Sequence, residues 1–149
     1  MKSVRSAVLA AAAAVALMAP AWARAEDYPL KPAEYVEVAL ISVDDGHDLE
    51  YATHLANMWR KSQDYALKQG WISGYEILSN EFKRPGEADY YLLTRFAVLP
   101  DAAESTRRQE DYTAYMQMNE AQMQAASGDR AKYRRQMGSE LLRRWVWTK

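Results

Sequence analysis

The fold is decided by residues 70–98, GWISGYEILSNEFKRPGEADYYLLTRFAV, which read as two strands around a turn at Pro85-Gly86. The first strand, residues 71–78, alternates between the two faces of a sheet. The second, residues 90–98, is largely apolar on both faces, which is typical of a central strand that is covered on both sides. A Pro-Gly pair between two such runs is a strong turn signal. The stretch therefore predicts a β-hairpin at the centre of the fold.

Outward from this hairpin, the sequence predicts a helix on either side and a strand at each end. Apolar residues recur at helical spacing in the two predicted helices, and β-branched or aromatic residues dominate the two predicted strands. The segments are residues 35–43 (YVEVALISV), 47–69, 110–126 and 140–148 (ELLRRWVWT). The order strand, helix, strand, strand, helix, strand is the split βαβ arrangement. We therefore predict an α+β, ferredoxin-like domain over residues 35–149, with a four-stranded antiparallel sheet in the order 4-1-3-2 and two main helices on one face.

Finer expectations concern the connections and the faces. The prolines of residues 26–34 predict an extended leader, and residues 101–109 a loop or a frayed helix start. Asp45 or Asp48 is the expected cap of the first helix. A break at residues 127–129 precedes a short basic helix over residues 130–137. In the first strand, the purely apolar set Val36, Val38 and Leu40 is expected to face the helices.

The first 25 residues have the pattern of a secretory signal peptide. Lys2 and Arg5 precede an apolar run of residues 7–19, and Ala23-Arg24-Ala25 fits a small-x-small cleavage site. The run is shorter than the roughly 20 residues of a membrane-spanning helix. We therefore expect cleavage after Ala25 and a periplasmic or secreted domain, without membrane attachment after cleavage.

Composition narrows the class of site. The sequence contains no cysteine, which excludes disulfides, thiolate metal sites and cysteine nucleophiles. The whole chain has 19 basic and 20 acidic side chains, and three of the basic ones precede the expected cleavage site. The remaining domain is mildly acidic, which argues against nucleic acid as a partner. No metal site and no cofactor are expected.

The segment order, together with YVEVALISV, KQGWISGYEIL, ADYYLLTRFAV and RRWVW, resembles the dimeric α+β barrel superfamily. The resemblance covers residues 35–149 and is one of architecture, since none of these stretches is a signature motif. It implies a homodimer whose sheets pack face to face. The superfamily includes small monooxygenases, haem-handling proteins, cyclases, isomerases and members without known activity. Haem-handling branches often use a helix histidine, and the second predicted helix has none, so no catalytic residue is transferred.

Candidate pocket residues follow from polar or aromatic side chains in apolar surroundings. Charges interrupt the strands and would need partners or a polar ligand if buried. His54 lies at the edge of the first helix's apolar arc, whereas His47 is expected to be a helix-start residue. The candidate pocket residues are Glu37, Glu76, Tyr91, Arg95, Arg143, His54, Trp59 and Asn119. Ion pairs and ordinary core packing are the alternative roles. A copper(I) site at Met116, Met118 and Met123, with Met137, is a weaker hypothesis than core packing.

Three functions remain open from the sequence. The first is an exported domain that binds a small, partly aromatic molecule in a cavity between sheet and helices or between the sheets of a dimer. The second is a cofactor-independent oxygenase or isomerase of the small-barrel kind, which would use Glu, Arg and Tyr side chains in that cavity. The third is a structural dimer without a cavity. Whether the chain is an enzyme is left open.

Overall fold

The computed structural model describes residues 28–149, so the predicted signal peptide and its cleavage site lie outside the described residues. The strands are β1 (Leu30–Val43), β2 (Gly74–Ser79), β3 (Tyr90–Phe96) and β4 (Arg134–Trp147). The helices are α1 (Asp48–His54), α2 (Arg60–Lys68), α3 (Ala102–Met116) and α4 (Glu120–Arg130). A π-helical segment, Leu55–Trp59, joins α1 to α2. None of the described helices is long and apolar enough to span a membrane.

The four strands form one antiparallel sheet in the order β2-β3-β1-β4, with the helices on one face. This is the predicted order read from the other edge, and it confirms the ferredoxin-like α+β prediction. The hairpin strands pair directly, with Ile77 opposite Leu92. The strand β3 is central, as predicted, because β1 pairs along its other side. We call the sheet face opposite the helices the open face.

The prediction of an extended leader over residues 26–34 is wrong from Leu30 onwards, because β1 begins there. Leu30 and Pro32 pair with Trp147 and Trp145 of β4, and the register then shifts before Tyr35. The pairing of β1 with β3 extends only to Tyr35. The start of β1 therefore has a neighbour on one side only, where a proline that lacks an amide donor is tolerated.

The predicted faces of β1 are also reversed. Ile41 and Val43, with Ala39 packed against them, belong to a core cluster with Tyr51 of α1 and Leu55. The set containing Val36, Val38 and Leu40 therefore lies on the open face. The prediction failed because Glu37 made the other set appear unsuitable for burial. The helices cover only the Ala39–Val43 end of β1, and Glu37 lies outside that cover, exposed to solvent.

The second predicted helix is two helices. The first begins at Ala102, because the carboxylate of Asp101 accepts a hydrogen bond from the Glu104 amide at 2.8 Å. It ends at Gln117, whose φ of 55° is left-handed. The predicted break at residues 127–129 and the basic helix after it are wrong. Gly128 lies inside α4, and residues 134–137 belong to β4.

His47 occupies the N-cap position of α1, and neither expected aspartate caps the helix. Asp48 is the first helical residue, and no side chain caps the start. The Nδ1 of His47 lies 2.9 Å from a carboxylate oxygen of Glu50, and its ring stacks on Tyr133 at 5.2 Å. His47 is thus a helix-start residue, as predicted.

Aromatic stacking holds α3 against α2. The rings of Tyr65 and Tyr115 stack with their centroids 4.0 Å apart. The Trp71 ring contacts Tyr65 edge-on, with the ring centroids 5.4 Å apart. The Arg108 guanidinium lies 5.4 Å from the centroid of the Trp71 ring. Such contacts stabilise by about 1 kcal/mol each. The stack fixes α3 beside the first helical layer and leaves a cleft between the two.

Candidate ligand cleft

The cleft lies between the α1–α2 layer and the α3–α4 pair, and has a volume of about 180 Å³. Most of its wall consists of thioether and aromatic side chains: Met58, Trp59, Tyr112, Met116, Met118 and Met123. The sequence has seven methionines, two of them within the first 25 residues, and four of the remaining five line this cleft. Three polar side chains, His54, Ser62 and Arg130, contribute to the same wall.

The π-helical segment positions one side of the cleft. Leu55, its first residue, is buried in the core with Tyr51. His54, Met58 and Trp59 line the cleft instead. A π turn is wider than an α turn and occurs frequently at functional sites. Trp59 also meets Tyr75 of β2 edge-on at 5.3 Å, so its indole is anchored to the sheet.

The turn between α3 and α4 positions the other side. Met116 ends α3 and is buried, and the left-handed Gln117 reverses the chain immediately after it. Asn119 then begins α4 with a capping box. In one continuous helix, Met118 would point away from Met116. The reversal brings Met116 and Met118 to the same cleft.

His54 is held neutral by its surroundings. Burial, followed by the positive charges of Arg130 and Arg134, lowers the pKa of His54 to about 4. Its ring stacks on Tyr51 at 6.0 Å. Burial also raises the pKa of Tyr51 to about 12, so this phenol is un-ionised. At neutral pH the imidazole can donate one hydrogen bond and accept another.

Two arginines near this imidazole have no anionic partner within the described part of the chain. No described residue forms a salt bridge with Arg130 or Arg134. Their Nε atoms are buried and have no hydrogen-bond partner among residues 28–149. Burial, and then the charge of Arg134, lowers the pKa of Arg130. The cleft is therefore a positively charged site with an apolar wall.

Of the predicted pocket residues, the structure brings His54 and Trp59 together here. Asn119 does not line the cleft, because its side chain caps α4 and accepts a hydrogen bond from the Gln122 amide at 2.9 Å. Its placement on an apolar helical arc was wrong, since the helix breaks just before it. The other described tryptophans lie elsewhere: Trp71 on Tyr65, Trp145 against Tyr28, and Trp147 exposed.

The predicted charge cluster is divided between the two faces of the sheet. The register places Glu76, Tyr91 and Arg95 on the open face, where the Arg95 Nη1 lies 2.6 Å from a Glu76 oxygen. Glu37 and Arg143 lie on the helix side, and the Arg143 guanidinium is 4.0 Å from the Tyr35 ring. The four charges therefore share no cavity.

The sequence reasoning missed Arg130, Met58 and Tyr112 as cleft residues. Arg130 was missed because the sequence predicted a short basic helix over residues 130–137, whereas Arg130 ends α4 and residues 134–137 belong to β4. The methionines gave a signal, since Met116 and Met123 are seven residues apart. Met116 and Met123 line the same cleft as Met118 and Met58 because the chain reverses at Gln117.

The comparisons with known proteins leave the family unassigned. The chain matches no protein-family model, and a search of curated proteins finds no significant match. Function is therefore argued from the geometry of the cleft.

Proposed function

We propose that this chain is an exported binding protein that holds a small molecule with an apolar, partly aromatic body in the cleft between the α1–α2 and α3–α4 layers. The observation that carries this proposal is a thioether and aromatic wall around the half-buried, neutral His54. Ligand sites are typically apolar clefts with a few polar groups that fix orientation. The signal-like start of the sequence supports a role outside the cytoplasm.

The chemistry of the wall suits a flat ring. Methionine side chains adapt their shape and make favourable sulfur contacts with aromatic faces. The Trp59 indole, anchored on Tyr75, offers a rigid surface on one side. Ligand-sized pockets usually have volumes of about 300–1,000 Å³, and this cleft, at about 180 Å³, is smaller. A single-ring molecule fits that volume best.

The alternative of a cofactor-independent oxygenase or isomerase has less support. It requires carboxylate, arginine and tyrosine groups in one cavity, whereas Glu76 and Arg95 pair on the open face and Glu37 lies on the other side of the sheet. In the cleft, the groups that shift the pKa of His54 are two arginines and no carboxylate. A base of such low pKa is a poor general base at neutral pH.

For the open face, we propose a second copy of this chain as the partner, as in the dimeric α+β barrel superfamily. Apolar side chains of this face, among them Leu78 and Leu142, are about half exposed. Two ion pairs lie beside them, Glu76–Arg95 and Glu34–Arg144. A two-fold axis brings the same patch of each copy together, and a patch that carries both signs of charge can place opposite charges across that axis. Its contact would also cover an apolar surface of a kind that monomers rarely leave exposed.

The binding proposal is tested by native mass spectrometry of the processed protein, purified from a bacterial periplasm. The wild-type protein is expected to retain a bound small molecule. Met123→Trp fills the cleft and should lose this molecule, whereas Met137→Trp, at a half-exposed position in β4, should keep it. An empty wild-type protein, or equal retention by Met123→Trp, would contradict the proposal.

A further inference from the structure

We infer that the ligand of this cleft is an anion, of the class of small aromatic carboxylates, and that Arg130 binds its charged group. This inference rests on the proposed binding function and adds the chemical class of the ligand. It is carried by the juxtaposition of an unpaired guanidinium with an apolar, single-ring-sized space.

Partial burial sets Arg130 and Arg134 apart from the other described arginines without an ion pair, Arg135 and Arg143, which are exposed. Within the described chain, six arginines form ion pairs with carboxylates: Arg60, Arg84, Arg95, Arg107, Arg108 and Arg144. All of these pairs are at least partly exposed to solvent. Arg130 and Arg134 are less exposed than most of them, yet no described carboxylate pairs with either. Two partly buried guanidinium groups are therefore without a described carboxylate partner, although an ion pair is worth more in a buried place than at the surface.

Leaving these guanidinium groups unpaired is costly. A buried charge without a partner is strongly unfavourable, and an unsatisfied donor adds to that cost. Arg130 and Arg134 also repel each other, since the charge of Arg134 contributes to the lowered pKa of Arg130. A carboxylate in the cleft would satisfy the free donor of Arg130 and offset the repulsion. Charge-assisted hydrogen bonds of this kind are about twice as strong as neutral ones.

The neutral imidazole of His54 is also compatible with an anionic ligand. At neutral pH His54 is uncharged, so it adds no positive charge of its own and can donate an N–H to the ligand. Among residues 28–149, no aspartate or glutamate lines the cleft, so no described carboxylate in its wall repels a carboxylate ligand. Tyr112, on α3, contributes a further hydroxyl to the wall.

The methionines suggest a different occupant, a soft cation such as copper(I), since thioethers and a neutral imidazole are its ligands. Met116, Met118 and Met123 do line the cleft with Met58, whereas Met137 lies in β4. Two guanidinium charges close to His54 oppose a metal cation. The charge of the site therefore favours the anion, and the thioethers serve as its apolar wall.

The inference is tested by isothermal titration calorimetry of the processed protein with benzoate and with benzamide. Benzamide has nearly the same shape as benzoate but no charge. Wild-type protein is expected to bind benzoate at least about tenfold more tightly than benzamide, the effect of one charge-assisted hydrogen bond. Arg130→Gln should lose this preference. Arg135→Gln, at an exposed position of β4, should keep it within about twofold.

Equal affinities for benzoate and benzamide would overturn the anion inference while leaving the binding function intact. No binding of either probe would contradict both. Binding of Ag⁺ that is lost in His54→Ala, without binding of benzoate, would overturn the inference in favour of a soft cation. Should Arg130→Gln not fold, Arg134→Gln provides the second variant, and retention of the full preference by that variant would count against the inference.

Discussion

The open face and the cleft treat their charges in opposite ways. On the open face, Arg95 and Arg144 each lie within 3.0 Å of a carboxylate. Arg130, which lines the cleft, and Arg134 have no such partner among the described residues, although their Nε atoms are buried. Both regions combine charges with apolar side chains. The difference is that the open face provides carboxylate partners for Arg95 and Arg144, whereas no described carboxylate pairs with Arg130 or Arg134.

This contrast underlies the two proposals, a second copy of the chain at the open face and an anionic ligand in the cleft. Because Arg95 and Arg144 already have carboxylate partners, the open face can meet an identical face without burying these two guanidinium groups unpaired. No described carboxylate pairs with Arg130 or Arg134, and the proposed anionic ligand would supply the missing negative charge. Variants that change one region, each compared with a matched variant elsewhere, test this difference.

The largest expected effect is on association. Leu142→Glu places a charge on the open face, and should weaken the proposed dimer at least about 100-fold, or about 3 kcal/mol. Leu141 precedes it on β4, faces the helix side, and has a similar exposure of 52% against 48%. Leu141→Glu should therefore leave the dimer intact. Analytical ultracentrifugation of wild type and both variants measures this, and a wild-type monomer at all concentrations would contradict the dimer.

The second effect is a difference of sign in stability. Arg130→Met removes an unpaired charge and should raise the free energy of unfolding of the empty protein by about 1 kcal/mol. Arg95→Met removes a paired charge and should lower it by about 0.5 kcal/mol, since the pair is partly exposed. Urea denaturation of both variants compares them. A loss of stability in Arg130→Met would indicate that this guanidinium is already satisfied.

The third effect concerns pH. His54 has a pKa of about 4 in the folded protein, below its ordinary value of 6.5. Between these values the unfolded chain binds a proton that the folded chain excludes, so stability falls as the pH is lowered from 6.5 to 4. We expect a loss of about 1 kcal/mol after allowing for solvent screening of the half-buried ring.

Replacement of the histidine checks this origin. His54→Gln should remove that part of the pH dependence, which thermal unfolding at pH 4–7 would measure. His47→Gln is the matched control, because His47 is exposed and pairs with Glu50 at the helix start. Identical pH profiles for wild type and His54→Gln would show that the cleft does not exclude the proton.

The smallest effect is the coupling within an open-face ion pair. A double-mutant cycle on Arg95 and Glu76 should give an interaction energy of about 0.5 kcal/mol, because both side chains are partly exposed. Arg95→Leu alone is therefore expected to be more destabilising than the double replacement. Strict additivity would show that the pair does not stabilise the sheet.

The sequence predicted the architecture because the hairpin and both terminal strands carry strong alternation. The sheet order follows from that pattern and from the connections. The prediction for the two faces of β1 was wrong, since Glu37 was taken as evidence against a helix-covered face. Alternation assigns residues to two faces but does not say how far along a strand the helices reach.

The cleft was only partly predictable. His54 and Trp59 were identified because they lie on or beside an apolar helical arc. Arg130 was not identified, because the residues that line the cleft opposite it come from another helical layer. A local sequence pattern also cannot show that an arginine lacks a carboxylate partner. The reversal at Gln117 was also missed, since a non-glycine residue in the left-handed region leaves no reliable signal in sequence.

The most direct test of the anion site is the pKa of His54, measured by NMR of the imidazole carbons with and without saturating benzoate. The account predicts a pKa near 4 in the empty protein and a rise of about 1 unit or more when benzoate offsets the charges of Arg130 and Arg134. A pKa near 6.5 that benzoate leaves unchanged would contradict it.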